Sequence, residues 1–294
     1  MVNGWDEIKL GLKQQGYIAD DNTAMLLRIS MLLNKPILIE GPAGAGKTEL
    51  AKAWSHYLDR RLIRLQCYEG IDETKALYDW NYQKQLLYIQ SQGTDRQDWA
   101  GMSQNIYTRE FLLARPLLEA ISSTAAAVLL IDEIDKSDEE FESFLLEILS
   151  DWQISIPETG TVTAASIPSV ILTSNNTRRL SHALRRRCLY LYLDYPHEQR
   201  ELEILKMYFP VLNDDLGKQA VAFVRRVRLE KLKKHPSISE VIDWVTVLDH
   251  MGVRELSPDL LVNTVNILLK YREDCLAITE KIGQKDWLRG IFNL

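Results

Sequence analysis

The stretch Ile37–Trp54, ILIEGPAGAGKTELAKAW, sets a short apolar run against a glycine-rich turn and then opens a helical pattern. Gly41 and Gly46 bracket four residues, Pro42, Ala43, Gly44 and Ala45, and are followed at once by Lys47 and Thr48. The spacing satisfies G-x-x-x-x-G-K-[ST] in full. Glycines at 41, 44 and 46 let the backbone curl so that successive N–H groups point at a phosphate chain, a conformation that a Cβ would obstruct. The helix beginning near Lys47, with Glu49 in its first turn, aims its positive end at the same anion. Lys47 is then expected to reach the β- and γ-phosphates of ATP, and the Thr48 hydroxyl to take a place on Mg2+. The flanks agree: Ile37-Leu38-Ile39 reads as a buried strand, and Leu50, Ala53, Trp54 and Tyr57 share one helix face.

Working outward, 294 residues with 46% hydrophobic and 26% charged side chains suit a soluble globular protein of one large or two medium domains. No apolar run approaches the roughly 18–20 residues of a membrane helix. The N-terminus is amphipathic and mixed in charge, unlike a secretory signal, which predicts a cytoplasmic protein. Cys67, Cys188 and Cys275 are far apart and form no C-x-x-C pair, so neither a disulfide framework nor a zinc site is expected, and the histidines lack ligand spacing. A net charge of −6 argues against a protein that coats nucleic acid, although Arg185-Arg186-Arg187 and RLEKLKKH are locally basic.

Along the chain, helices are expected at about 5–15 and 22–33, with Asp21-Asn22-Thr23 as a start signal and Asn34-Lys35-Pro36 as a stop. RLIRLQCY alternates as a strand, and EGIDETKALYDWNYQKQLLYIQ has helical stretches. The polar run 91–108 reads as an exposed connection, and a helix over 108–122 should be bent or divided by Pro116. Val128–Ile131 is a continuous apolar run, hence a strand buried on both faces, and a helix follows with Ser137 as its cap. QISIPETGTVTAASIP reads as a hairpin around Glu158-Thr159-Gly160, and SVILTSN as another buried strand. From Pro196 the pattern is all helical, with blocks near 197–208, 215–229, 238–251, 258–272 and 274–289. The domains are therefore read as an α/β nucleotide-binding core over 1–195 and a smaller helical lid over 196–294. Strands separated by helices imply a parallel sheet with the nucleotide outside its carboxyl ends.

A phosphate loop binds, and hydrolysis needs more. In LLIDEID the strand delivers Asp132, suited to hold Mg2+ through water, and Glu133, suited to polarise an attacking water. Asn175, at the end of SVILTSNN, is placed to orient water or touch the γ-phosphate, the alternative being that Asn175 or Asn176 caps a turn. Arg185, Arg186 and Arg187 form either a solvated face or a source of guanidinium for a neighbouring subunit's nucleotide. Tyr78, Trp80 and Tyr82, set among charges, are read either as exposed residues available to grip a substrate or as aromatics packed against the domain or a neighbouring subunit.

The set GPAGAGKT, LLIDEID, ILTSNN and LSHALRRRC, in that order and ahead of a helical lid, resembles an AAA+ ATPase. The hairpin between the acidic and asparagine strands resembles the pre-sensor hairpin of the MoxR group. RLQCYEGIDETKALYDWNY, FLLARPLLEAI and ILTSNNTRRLSHALRRRCLYLYLDYP look most like the CoxD-like ATPases encoded with carbon monoxide dehydrogenase maturation factors. The resemblance implies Gly41–Thr48 as Walker A, Asp132 and Glu133 as Walker B, and Asn175 as sensor 1. It implies Arg187 as the arginine finger, with Arg186 the second candidate. It also implies five parallel core strands, a hexameric ring, and a chaperone that remodels a client enzyme, for metal-cofactor insertion or maturation, with a von Willebrand A-domain partner. The pattern departs at HPSISEVIDW, where Ser239 stands in place of a sensor 2 arginine. A nucleotide-dependent switch or scaffold with little turnover and a DNA-associated AAA+ ATPase remain the alternatives.

Overall fold

The computed structural model describes residues 4–91, 106–157, 159–284, 286–289 and 291. Most of the polar run 91–108 and Glu158 of the expected hairpin turn lie outside the described residues. The chain divides into two compact units, one of residues 1–15, 19–41 and 47–192, the other of residues 16–18, 42–46 and 193–294.

In the first unit, α1 (Gly4–Gln14) and α2 (Asp21–Leu33) precede the strand β1 (Ile37–Glu40). The cap of α2 is Asp20, one residue before the expected start, with its carboxylate accepting from the Thr23 N–H at 2.7 Å. Asn34 ends that helix in the left-handed conformation, φ 50°, its N–H bonded to the Ser30 carbonyl. Then come α3 (Lys47–Tyr57) and β2 (Leu62–Gln66). The segment after β2 has helical stretches, α4 (Glu73–Ala76) and α5 (Tyr82–Ser91), with the short strand β3 (Tyr78–Trp80) between them.

The helix expected over 108–122 is shorter. β4 (Leu112–Ala114) pairs antiparallel with β3, and α6 (Pro116–Ser122) begins at the proline. Pro116 does not bend a helix. It opens one, where its missing N–H would have had no helical partner anyway.

β5 (Val128–Asp132) is buried throughout, and α7 (Glu139–Asp151) follows. Asp138, not Ser137, caps α7, accepting from the Phe141 N–H at 2.8 Å, while the Ser137 hydroxyl donates to the Ile134 carbonyl. Asp lies closer to the first free N–H groups and adds negative charge at the helix's positive end. The hairpin forms from β6 (Gln153–Ile156) and β7 (Gly160–Thr163), and β8 (Ser169–Ser174), α8 (His182–Arg187) and β9 (Leu189–Tyr192) complete the unit.

The five-stranded sheet has the order β2-β5-β8-β1-β9, and every pair is parallel. Its core packs Leu38, Leu129, Ile131 and Leu172 with Leu117, Ile121 and Leu145 of the covering helices. One consequence of the order decides the site: β8 lies between β1 and β5, so the residues leaving β8 emerge between the glycine loop and the acidic pair.

The second unit contains α9 (Glu198–Tyr208), α10 (Asp214–Arg228), α11 (Ile238–His250), α12 (Pro258–Leu268) and α13 (Arg272–Ile282). Phe223 packs against both Trp244 and Trp287, and the buried Trp244 indole N–H donates to the Thr264 hydroxyl at 2.9 Å. The last two helices end sooner than their apolar pattern predicts, at Leu268 and just before Gly283.

Candidate functional site

The loop glycines adopt the geometry their spacing demands. Gly44 and Gly46 have φ of 77° and 91°, a region that side chains with a Cβ rarely enter. In the second unit a Cβ built on Gly44 would also fall 2.3 Å from the Ser237 Oγ, so that position has no room for a side chain. Ala45 is buried, Pro42 half-buried and Ala43 exposed.

Lys47 opens α3 with its side chain almost wholly buried. Its ammonium donates to the Gly41 carbonyl at 2.7 Å and to the Asn175 Oδ1 at 2.8 Å. Burial lowers its pKa, while Asp135, Asp132 and Glu133 draw it back up. Thr48 presents its hydroxyl 3.2 and 3.3 Å from the two oxygens of Asp132. Glu49 points away, exposed and paired with Lys52 at 2.7 Å.

Asp132 ends β5 with 3% of its surface exposed. It accepts from the Thr173 hydroxyl at 2.5 Å and pairs with Arg64 at 2.5 Å. Glu133 then turns the chain sharply, with φ 56° and ψ 47°, and its N–H donates to the Thr173 hydroxyl at 2.9 Å. Its carboxylate accepts from Gln66 at 2.9 Å, from Lys136 at 2.6 Å and from the Asn175 Nδ2 at 3.3 Å. Asn175 therefore spans from the buried ammonium to the glutamate, and the turn-capping alternative does not describe its side chain.

Asp135 explains why Asn175 holds that position. Buried itself, it accepts from the Asn175 N–H at 3.1 Å, the Thr177 N–H at 2.9 Å and the Thr177 hydroxyl at 2.6 Å. Burial pushes its pKa up, but those donors outweigh it and hold the carboxyl below its ordinary value. Sequence reasoning passed over Asp135, Arg64 and Gln66. The signal for the last two was their alternation on β2, which puts Gln66 opposite Asp132 in the sheet register and Arg64 one step along the same face.

The three arginines of α8 differ. Arg185 pairs with the buried Glu40 at 2.5 Å. Arg187 donates to the Ser150 hydroxyl at 2.5 Å and to the Ala183 carbonyl at 3.2 Å. Arg186 is exposed. In the second unit Ser239 is exposed near the start of α11, whereas the buried Ser237 caps that helix in a reciprocal pairing with Glu240. The aromatics of the connection after β2 also separate. Tyr82 is exposed, as the first alternative has it, whereas Trp80 is buried and Tyr78 half-buried, as the second has it, because the β3–β4 pairing folds Trp80 between Tyr78 and Tyr107.

Among the described residues no group of three or more His, Cys, Asp or Glu side chains is arranged to hold a metal ion. A phosphate-bound Mg2+ needs no such group, since it takes few protein ligands, all oxygen, and keeps water and phosphate for the rest. The Thr48 hydroxyl facing the Asp132 carboxylate is that kind of donor set. Residues 36–188 match the model of the AAA domain, dynein-related subfamily.

The chain belongs to that AAA family. Membership covers the whole α/β arrangement from β1 to the end of α8. The chain is 27% identical over 216 residues to an uncharacterized protein of Staphylococcus aureus (strain bovine RF122 / ET3-1), covering 71% of this chain and 73% of that one. It is 24% identical over 236 residues to an uncharacterized protein of Staphylococcus haemolyticus (strain JCSC1435), covering 78% and 81%. Among solved structures, a single-site variant of the Thermotoga maritima RuvB protein superposes with a TM-score of 0.51 at 18% identity, over 86% of this chain and 71% of that one. The T. maritima RuvB Holliday junction branch migration motor gives 0.49 at 18%, over 90% and 71%. At that identity the likeness is one of fold. No helix among the described residues is long and apolar enough to cross a membrane.

Proposed function

We propose that this AAA protein binds and hydrolyses ATP with Mg2+ and uses the cycle to remodel another protein. The observation that carries hydrolysis is the bridge from Lys47 through Asn175 to Glu133, at 2.8 and 3.3 Å. A purely structural turn has no use for a buried ammonium, an amide and a glutamate in series. In this reading Gly41–Thr48 cradle the phosphates, Thr48 and Asp132 hold the cation, and Glu133 takes the proton of the attacking water. Mg2+, when bound, neutralises charge on the phosphoryl oxygens.

The finer reading rests on the resemblance. It is a cytoplasmic MoxR-type chaperone of the CoxD-like kind, working as a hexamer with a von Willebrand A-domain partner, in which Arg187 or Arg186 reaches a neighbour's nucleotide. Supporting it is the β6–β7 hairpin between the acidic and asparagine strands. The experiment is nucleotide binding and phosphate release by wild type, Lys47→Ala and Glu133→Gln. Lys47→Ala should lose binding. Glu133→Gln should keep it and turn over at least about a hundredfold more slowly, the scale of a lost positioned base. Equal affinity of wild type and Lys47→Ala overturns the assignment, and tight binding without turnover in the wild type favours the switch.

A further inference from the structure

Arg64 has no part in a phosphate loop or an acidic strand end, yet it makes a 2.5 Å ion pair to the carboxylate that faces Thr48. It comes from β2, an edge strand of the sheet, and its Nη2 also donates to the Gln66 Oε1 at 2.6 Å. The partners are unequal. The Asp132 side chain is 4% exposed and that of Arg64 50% exposed. A carboxylate so deeply buried carries a large desolvation penalty unless a cation answers it, whereas a half-exposed arginine can swing into water at little cost. The other contacts of Asp132, the Thr173 and Thr48 hydroxyls, are neutral. Of the nearby lysines, Lys47 is bonded to Asn175 and Lys136 to Glu133. Arg64 is thus the cation paired directly with Asp132.

We propose that Arg64 is a resident counter-cation of Asp132, which a nucleotide-borne divalent cation must displace, and that it thereby sets how much cation the site requires. The inference rests on the assignment of Thr48 and Asp132 to the cation. Two positive centres on one buried carboxylate repel each other, and only the arginine has a route into solvent. With the cation absent, Arg64 hides the negative charge of Asp132 from an incoming polyphosphate. It therefore has opposite effects on the two forms of the nucleotide: it favours the metal-free form and handicaps the metal-bound one.

The test is a fluorescence titration with N-methylanthraniloyl-ADP, first in EDTA and then at rising MgCl2, on wild type, Arg64→Gln and Arg64→Lys. Arg64→Gln should bind the metal-free nucleotide more weakly and reach half-maximal Mg2+ response at about five- to tenfold lower concentration, from removal of one like charge near the cation. Arg64→Lys keeps the charge and should stay close to wild type in both. Wild-type binding with a midpoint unmoved or raised in Arg64→Gln overturns the inference alone. Absence of nucleotide binding by the wild type at every Mg2+ concentration overturns it together with the assignment of the site. Thermal melts show that each variant is folded.

Discussion

Lys47 donates to the Oδ1 of Asn175 over 2.8 Å, although 128 positions separate them in the chain. The contact exists because β8 is inserted between β1 and β5, so that its C-terminal end opens beside the loop. That opening brings the Asn175 amide within hydrogen-bond distance of the Lys47 ammonium. Asn175→Ala should keep nucleotide affinity within about threefold and lower turnover by about ten- to a hundredfold, the range of a lost orienting contact. Loss of binding in equal measure would make the amide a ligand-binding group alone.

Because Arg187 is tied to Ser150 while Arg186 stands free in solvent, either can be the group delivered across a subunit boundary. If the site is completed between subunits, Arg187→Ala or Arg186→Ala should bind ATP normally and hydrolyse it poorly. Mixing the defective variant with Lys47→Ala should restore part of the activity, since a mixed ring pairs an intact loop with an intact arginine. No recovery in rings shown to be mixed overturns a role for the substituted arginine across the boundary.

Trp80 and Tyr82 should behave differently despite their proximity. Trp80 is 8% exposed and Tyr82 61%. Trp80→Ala is expected to destabilise the fold by about 3–5 kcal/mol, the cost of truncating a buried indole. Tyr82→Ala should leave the melting temperature and basal turnover unchanged and reduce stimulation by a client or partner. A wild-type melt for Trp80→Ala would contradict the burial of the indole between Tyr78 and Tyr107.

Cys67 offers a prediction in pH. Burial first, then the nearby Asp132, Asp135 and Glu133, push its thiol up to about 12. The thiolate is therefore disfavoured in the folded state relative to an unfolded value of about 8.5. The resulting stability is present in full below about pH 8.5 and is lost as pH rises toward the folded value. Native Cys67 should react with a disulfide reagent at pH 8 only as fast as the chain unfolds, and Cys67→Ala should flatten the fall in urea midpoint between pH 8 and 10. Rapid labelling of the native thiol would argue against its burial.

The loop, the acidic strand and the asparagine strand were legible because each is a local pattern: an apolar run, then polar residues at fixed offsets. Strand order is not local, and nothing in ILTSNN says that β8 lies between β1 and β5. Arg64 and Gln66 escaped notice because polar alternation on a strand reads as solvent exposure, and only the register with β5 turns it toward Asp132. The two alternatives for Trp80 could not be separated for a related reason. Its burial comes from pairing with Leu112 of β4, a partner more than thirty positions away. Pro116 and Asp138 were ambiguous in a simpler sense, since each also fits the neighbouring assignment and only the observed backbone chooses.

The left-handed backbone at Glu133 has a bearing on protein engineering. A side chain in that conformation carries about 1–2 kcal/mol that glycine would not, and Glu133→Gly sets that relief against the loss of the carboxylate's contacts with Gln66, Lys136 and Asn175 and a freer unfolded chain. A selection for thermotolerance alone weighs only those stability terms and is blind to what the carboxylate is for, so any stabilised descendant should be sequenced at this codon before its lifetime is counted as an improvement.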